Sequence, residues 1–543
     1  MTGRILGIAG PTVTVDLPGL KLYDLVQVGE AHLIGEVVRL APGRAVLQVY
    51  ENTRGLAVNE PAVSLNRPLT VQLGPGLLSG MFDGLQRPLK RLAEATGPFI
   101  GTGASAFPLD LERRWHFAPA KKSGEQAAAG ECLGHLHEGP FRHPVTAPSA
   151  GTIGAISEGE ITLADAVATM ADGSRVSALS PWPVRKPRPY KRKLSPTLPL
   201  VTGQRIIDFL FPMARGGTAI FPGGFGTGKT VLEQSIAKFA AVDIVVYVGC
   251  GERGNEIAEL LEEFVTLSDP WSDRSLMQRT IVVANTSNMP VAARESSIYT
   301  AVTMAEYYRD LGYHVLLLAD SISRWAEALR EISASLEEMP GEESYPTYLS
   351  SRLSAFFERA GVVETLDGKT GSLSMIISVS PPGGDFTEPV TQACLRTAGA
   401  FFMLDTTLAH RRHFPAISWF QSYSLYQADM VEHFKEQVSK RWGELQGRCQ
   451  DLLRREEALR EVAEIVGLEG LQDPDRLVMK VAERIRQEFL CQSAYGDDAF
   501  CAPEKTFALI LQLVDFYDQA VARLKRGEFL DEIVQELSKR DEG

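Results

Sequence analysis

Eight consecutive residues carry the clearest chemistry in this chain: Gly223, Gly224, Phe225, Gly226, Thr227, Gly228, Lys229 and Thr230. A G-x-x-x-x-G-K-T run lets backbone N–H groups turn inward around phosphates, because glycine tolerates the left-handed backbone such a loop needs. Lys229 sets a positive charge against the β- and γ-phosphates, and the Thr230 hydroxyl reaches Mg²⁺. The flanks agree with the motif: residues 218–221 are apolar, as a strand requires, and Val231 opens a helical stretch. Downstream, Asp320 ends the apolar run 315–319. An aspartate there more often makes a turn or a helix N-cap. In a chain that also has the phosphate loop, a place on the ligand-binding edge of an α/β sheet favours a Mg²⁺ role. Glu252 and Arg253 follow the apolar run 243–250. Hydrolysis of a phosphoanhydride needs a group that orients and deprotonates water, which a sheet-edge carboxylate supplies, while an arginine contacts phosphate oxygens. Spacing alone fits a solvated loop pair equally well.

These residues need a scaffold, and the rest of the chain outlines one. From about residue 200, apolar β-branched runs at 243–250, 280–284, 314–319 and 374–380 alternate with helical patterns at 231–241, 254–264, 292–311 and 322–336. That alternation predicts a parallel α/β sheet. Residues 1–70 instead show short alternating runs (12–17, 36–40, 45–50, 70–73) punctuated by Gly-Pro and Pro-Gly pairs, which predicts a small β-barrel or sandwich. A segment over 71–110 holds a helix-like stretch near 82–93. Residues 111–185 are rich in Gly and Pro, with short β-like pieces at 151–156 and 161–163, and read as an insertion with its own small β fold. The stretch 181–199 holds six prolines and the basic run 185–193, an extended connector. The α/β zone spans 186–428. Residues 429–543 show helical periodicity alone, at 430–453, 477–489 and 507–537.

A length of 543 residues exceeds what one core supports and implies three or four domains. A formal charge of −13 argues against gripping nucleic acid. No apolar run approaches the roughly 18–20 residues that cross a bilayer, and no secretory signal is visible at the start of the chain. Any membrane role therefore runs through partners, and the expected location is cytoplasmic. Six scattered cysteines without a CxxC pair read as free thiols. His135 and His137 in a Gly-rich stretch lack the partner ligands of a zinc site.

The strings 249–256 (GCGERGNE), 284–295 (ANTSNMPVAARE), 324–332 (RWAEALREI), 336–343 (LEEMPGEE) and 411–417 (RRHFPAI) resemble the catalytic A subunit of V-type and A-type rotary ATPases. The likeness extends toward the N-terminus through 73–78 (LGPGLL) and 82–89 (FDGLQRPL). It implies an N-terminal β-barrel, an inserted bulge domain, a RecA-type nucleotide-binding domain and a helical C-terminal domain. It implies ATP hydrolysis or synthesis with Mg²⁺ and ATP or ADP, coupled to H⁺ or Na⁺ transport. Carried over by position, Glu252 becomes the catalytic glutamate and Arg253 its phosphate-contacting neighbour. Lys229 and Thr230 become the phosphate-loop pair and Asp320 the magnesium-site aspartate. Phe414 and Tyr495 become the aromatics against adenine, although spacing alone reads both as core. The implied partners are a B subunit that supplies an arginine finger in an alternating ring of three A and three B chains, the D and F subunits of a central stalk, and the E and G subunits of a peripheral stalk. The membrane is met only through an ion-translocating sector.

Three departures from the family pattern stand out. Gly224 takes the place of the usual Pro or Ala, which loosens the loop without removing a phosphate contact. Thr227 occupies a position that is Cys in many eukaryotic members, so thiol switching of the loop is not expected. Tyr495 falls where Phe is usual. The chain is also short for the family, which bears on stalk contacts more than on catalysis. Rival readings are a secretion-type hexameric ATPase, a hexameric RNA translocase, a stand-alone kinase and a non-catalytic nucleotide-binding subunit of the same ring. The first two lack the 111–185 insertion, and no acceptor pocket points to the kinase. The last lacks an intact phosphate loop and a catalytic Glu.

Overall fold

The computed structural model describes residues 2–97, 100–272 and 274–541; Met1 and Gly543, the outer limits of the first and last zones, lie outside them. The chain divides into two compact units, one of residues 1–195 with 242–397, the other of 196–241 with 398–543.

In the first unit, six strands close into a barrel, in the order Thr2–Ala9, Thr12–Asp16, Arg44–Val49, Leu33–Ala41, Asp24–Val28, Pro61–Pro68. Alternation sends Val13, Val15, Val26, Val28, Leu47 and Val49 fully inward, which is why short alternating runs sufficed to expect it. The barrel ends there. Thr70–Leu73, expected with it, pairs instead with Ser180–Pro183 across the insertion. The helix expected near 82–93 starts only at Leu89, since Pro88 removes a donor ahead of it; Met81–Phe82 joins the central sheet.

The insertion folds as two four-stranded sheets between Arg114 and Ser177. Its strongest strands, Cys132–Glu138 and Phe141–Thr146, are hidden in the sequence because His, Gly and Arg interleave their apolar positions. The proline-rich connector is more than a spacer. Its basic run forms ion pairs: Arg185 with Glu36 and Glu295 at 2.8 and 2.7 Å, Arg188 with Asp310 at 2.7 Å, and Lys193 with Glu358 at 3.0 Å.

The centre of this unit is a parallel sheet in the order Met81–Phe82, Thr280–Thr286, Ile244–Glu252, His314–Asp320, Thr370–Val379. Its three central strands are buried almost throughout, as continuous β-branched runs predict. The helix Val291–Asp310 is buried on every side from Ala292 to Arg309, so its small residues serve close packing.

In the second unit, Thr218–Pro222 is wholly buried and runs parallel to Ala400–Phe401, which pairs antiparallel with Tyr423–Ser424. Helices follow at Gln427–Gln437, Trp442–Val466, Asp473–Arg484, Pro503–Leu524 and Leu530–Asp541. The single helix expected over 430–453 is broken at 438–441, where Trp442 is completely buried and stacks on Phe434 at 4.4 Å. The expected stretch 507–537 also breaks, near Gly527 at φ 85°.

Candidate active site

The phosphate loop connects the buried strand Thr218–Pro222 to the helix Lys229–Phe239. Gly226 and Gly228 sit at φ 79° and 82°, a region costly to any residue with a Cβ. A Cβ at Gly223 would stand 2.7 Å from Leu404 Cβ, so that glycine is required by close approach instead. The turn is pinned from within: the Thr227 hydroxyl donates to the Gly224 carbonyl at 2.9 Å, and Lys229 Nζ donates to the Gly223 carbonyl at 2.6 Å. The helix that starts at Lys229 has no side-chain cap hydrogen bond at Gly228, and its N-terminus is the positive end of the helix dipole, which favours an anion. Val231 is partly exposed, and Phe225 is 88% exposed.

Phe414, expected from spacing to be core, is 38% exposed. Its ring edge lies 3.3 Å from where a Cβ on Gly228 would be, so it borders the phosphate loop. The Phe414 carbonyl accepts the Gln492 N–H at 2.7 Å, and the Gln492 side chain bonds the Gly203 and Asp498 carbonyls at 2.8 Å each. That network ties the segment carrying Phe414 to the one carrying Tyr495. Tyr495 is 73% exposed, again not core, and makes no ring contact with Phe414 among the described residues.

Within the first unit, Glu252 and Asp320 end adjacent parallel strands, with Asp320 in register with Gly249. Gly251 at φ 74° turns the chain just before Glu252, and a Cβ there would press on Arg324 Cβ at 2.8 Å. Asp320 is 4% exposed. Burial, then the charge of Asp320, then Glu256, push the Glu252 carboxyl up to about 8, while Arg324 opposes them. Raised acids of this kind concentrate where proton transfer is done. Arg253 caps the helix Gly254–Thr266 and lies 3.6 Å from Glu256, with its side chain 64% exposed.

Two residues were missed as site members. Arg324, one helical turn beyond Asp320, is held by Glu327 at 3.0 Å and faces Glu252 electrostatically. Arg294 is buried and donates to the Ser287 carbonyl at 3.0 Å, leaving Nε without a partner among the described residues. The i+4 offset from Asp320 was the only signal for Arg324. Arg294 gave none, since only folding brings it against Gly251. Thr230 offers a hydroxyl and Asp320 a carboxylate, oxygen donors of the kind that suit a hard cation such as Mg²⁺. Among the described residues no three His, Cys, Asp or Glu side chains converge as a cage.

The fold and the phosphate loop together define a nucleotide-binding chain of the ATP synthase alpha/beta class. Four family models match in sequence order: the beta-barrel domain of the ATP synthase alpha/beta family over 5–66, the alpha/beta subunit barrel-sandwich domain over 106–185, the alpha/beta family nucleotide-binding domain over 203–424, and the C-terminal domain of V and A type ATP synthase over 432–534. The chain is 50% identical to the second A subunit of the A-type ATP synthase of Methanospirillum hungatei, over 97% of its own length and 91% of that protein. It is 50% identical to the corresponding A subunit of Methanopyrus kandleri, covering 98% and 92%. To the V-type ATP synthase alpha chain of Clostridium botulinum it is 48% identical, covering 99% and 93%. The chain belongs to the family of A-type ATP synthase A subunits and V-type ATP synthase alpha chains. The solved structure of the ATPase EscN, from a type III secretion system of enteropathogenic E. coli, shares the fold at TM-score 0.69 and 22% identity, over 94% of this chain and all of that one. The secretion-type alternative is therefore matched in fold alone.

Proposed function

We propose that this chain is the catalytic subunit of a rotary ATPase, interconverting ATP and water with ADP and phosphate. The observation that carries this reading is the phosphate loop, whose glycines hold the backbone open at an uncapped helix N-terminus with Lys229 and Thr230 at its start. Residues 223–231 take the phosphates, Lys229 stabilises charge on the transferring group, and Phe414 and Tyr495 border adenine. Glu252, whose surroundings raise its proton affinity, is in its ionised form the proton acceptor for the attacking water. Arg253 contacts phosphate oxygens. Thr230 and Asp320 would hold Mg²⁺, which supplies charge neutralisation on the phosphates. We take domain boundaries to fall near 70, 110, 185 and 428.

Charge still builds on the γ-phosphoryl oxygens, and such sites commonly take an arginine finger from a neighbour, worth about 10³–10⁵ in rate. We therefore place each active site in a ring of three of these chains alternating with three B subunits. Central-stalk D and F subunits and peripheral-stalk E and G subunits would couple that ring to a membrane sector moving H⁺ or Na⁺. The ring itself would sit at the membrane periphery, on the cytoplasmic side. No described helix of this chain is long and apolar enough to cross a membrane. The purified chain should bind Mg-ATP but hydrolyse it very slowly, and the matching B subunit should raise the rate by roughly two orders of magnitude or more. Fast hydrolysis by the demonstrably monomeric chain would defeat the shared site.

A further inference from the structure

A cavity of about 400 Å³ opens in the second unit, within the range of small-molecule sites, and its walls are basic. Arg411, Arg412, Arg460 and Arg486 line it together with His413 and Trp419. Among the described residues three carboxylates answer these four guanidiniums, Glu464 only through its charge at Arg460. Glu456, completely buried, accepts from both Arg460 and Arg486, and Glu457 lies 3.4 Å from Arg460. Arg411 and Arg412 have no side-chain hydrogen bond or ion pair among the described residues. The cavity therefore keeps an excess positive charge in a chain whose net charge is −13.

A second observation marks it as a binding site. Among the described residues Trp419 Nε1 and His413 Nε2 are both buried without a partner, and their rings pack edge to face at 5.5 Å. A buried N–H left unmade costs about 1–3 kcal/mol, so that of Trp419 calls for an acceptor. Burial and the charge of Arg486 push His413 down to about 4, leaving the ring neutral. Arg412 sits at φ 59° because it closes the helix Thr406–His410, its N–H donating to the Ala409 carbonyl and that of His413 to the Leu408 carbonyl.

We propose that this cavity binds a phosphate-bearing anion at a site separate from the phosphate loop, with Arg411 and Arg412 as its charged forks and Trp419 as a neutral donor. Planar guanidiniums clasp phosphate bidentately, which the free pair is placed to do. The site lies directly before Phe414 in the chain, so a ligand there would fasten the segment that presents Phe414 to the phosphate loop.

The test uses the full chain carrying Lys229→Ala, which weakens phosphate binding at the loop, titrated with pyrophosphate against chloride at matched ionic strength. The expected result is saturable binding by calorimetry, with a tryptophan fluorescence change that Trp419→Phe removes. Adding Arg411→Ser and Arg412→Gly should weaken the affinity roughly 10–100-fold. Glycine suits the left-handed position, so this variant should keep its thermal stability. A parallel titration with ADP separates the sources: competition with pyrophosphate assigns the site to the phosphates of a nucleotide, and its absence to free inorganic anions. No saturable binding, or binding undiminished in the arginine variant, overturns the proposal. The proposed catalytic role is tested separately, because Lys229 is already removed.

Discussion

The phosphate loop and the carboxylate edge of the parallel sheet solve opposite problems. In the loop, the proposed recognition rests on backbone: Gly226 and Gly228 adopt left-handed angles, Gly223 admits Leu404, and Lys229 leans back on the Gly223 carbonyl. At the sheet edge, the proposed chemistry rests on side-chain charge. Glu252 and Asp320 crowd each other at the ends of neighbouring strands, with Arg324 and Arg294 close by. Backbone geometry is written in consecutive residues, whereas charge crowding arises only when separate strands are laid side by side. The loop should therefore answer to local substitutions by losing phosphate contacts, and the edge by changing proton affinity.

The largest expected effect is at the edge. Glu252→Gln should leave ATP affinity nearly intact and slow single-turnover hydrolysis by about 10²–10⁴-fold, since the amide cannot accept a proton. The pH profile sharpens this. With its carboxyl raised to about 8, Glu252 is protonated at mildly acidic pH, so hydrolysis should climb as pH rises toward 8. Stability runs the other way: between the ordinary carboxyl range and about 8 the folded chain holds a proton the unfolded chain has released, so the melting temperature should fall as pH rises. That fall should be smaller in Glu252→Gln. Unchanged hydrolysis in the variant would move the base role elsewhere.

In the loop, Lys229→Ala should reduce turnover of the assembled complex by about 10²–10³-fold, the usual cost of losing such electrostatic stabilisation. Retention of more than roughly a tenth of the rate would break the assignment of this lysine. Phe414→Ala should weaken ATP and ADP alike by about 1–3 kcal/mol of lost base stacking, read by calorimetry. An effect on neither nucleotide would make Phe414 a surface residue only.

The smallest effect is expected at Gly224, which lies outside the left-handed region. An alanine Cβ would meet only the Thr406 methyl at 3.2 Å. Gly224→Ala should therefore keep activity, and stability should change by under about 1 kcal/mol, with reduced unfolded-state freedom offset by that contact. A large loss would mean that this glycine, like Gly223, is demanded by packing.

Much of this protein was legible as sequence. The parallel strands at 244–252, 280–286, 314–320 and 370–379 match their apolar runs closely, because strands buried on both faces have no polar side to disguise them. The barrel was readable from alternation. The insertion's best strands were not, since His135 and His137 interrupt their pattern. Phe414 and Tyr495 read as core from spacing, although they are 38% and 73% exposed, because an exposed aromatic is the same residue type as a buried one.

By itself, then, the sequence determined the phosphate loop, whose function depends on eight adjacent residues and the backbone they permit, and the order of strand and helix around it. Tertiary structure alone decided the rest. It set Glu252 beside Asp320, an interaction between residues far apart in sequence that exists only through strand register. It brought Arg460 and Arg486 from two helices to the cavity behind Arg411 and Arg412, and made Glu456 their shared, buried partner. Charges in water screen one another and leave no pattern in a sequence, but burial, as at Glu456, lowers the dielectric and strengthens the pairing of the same charges.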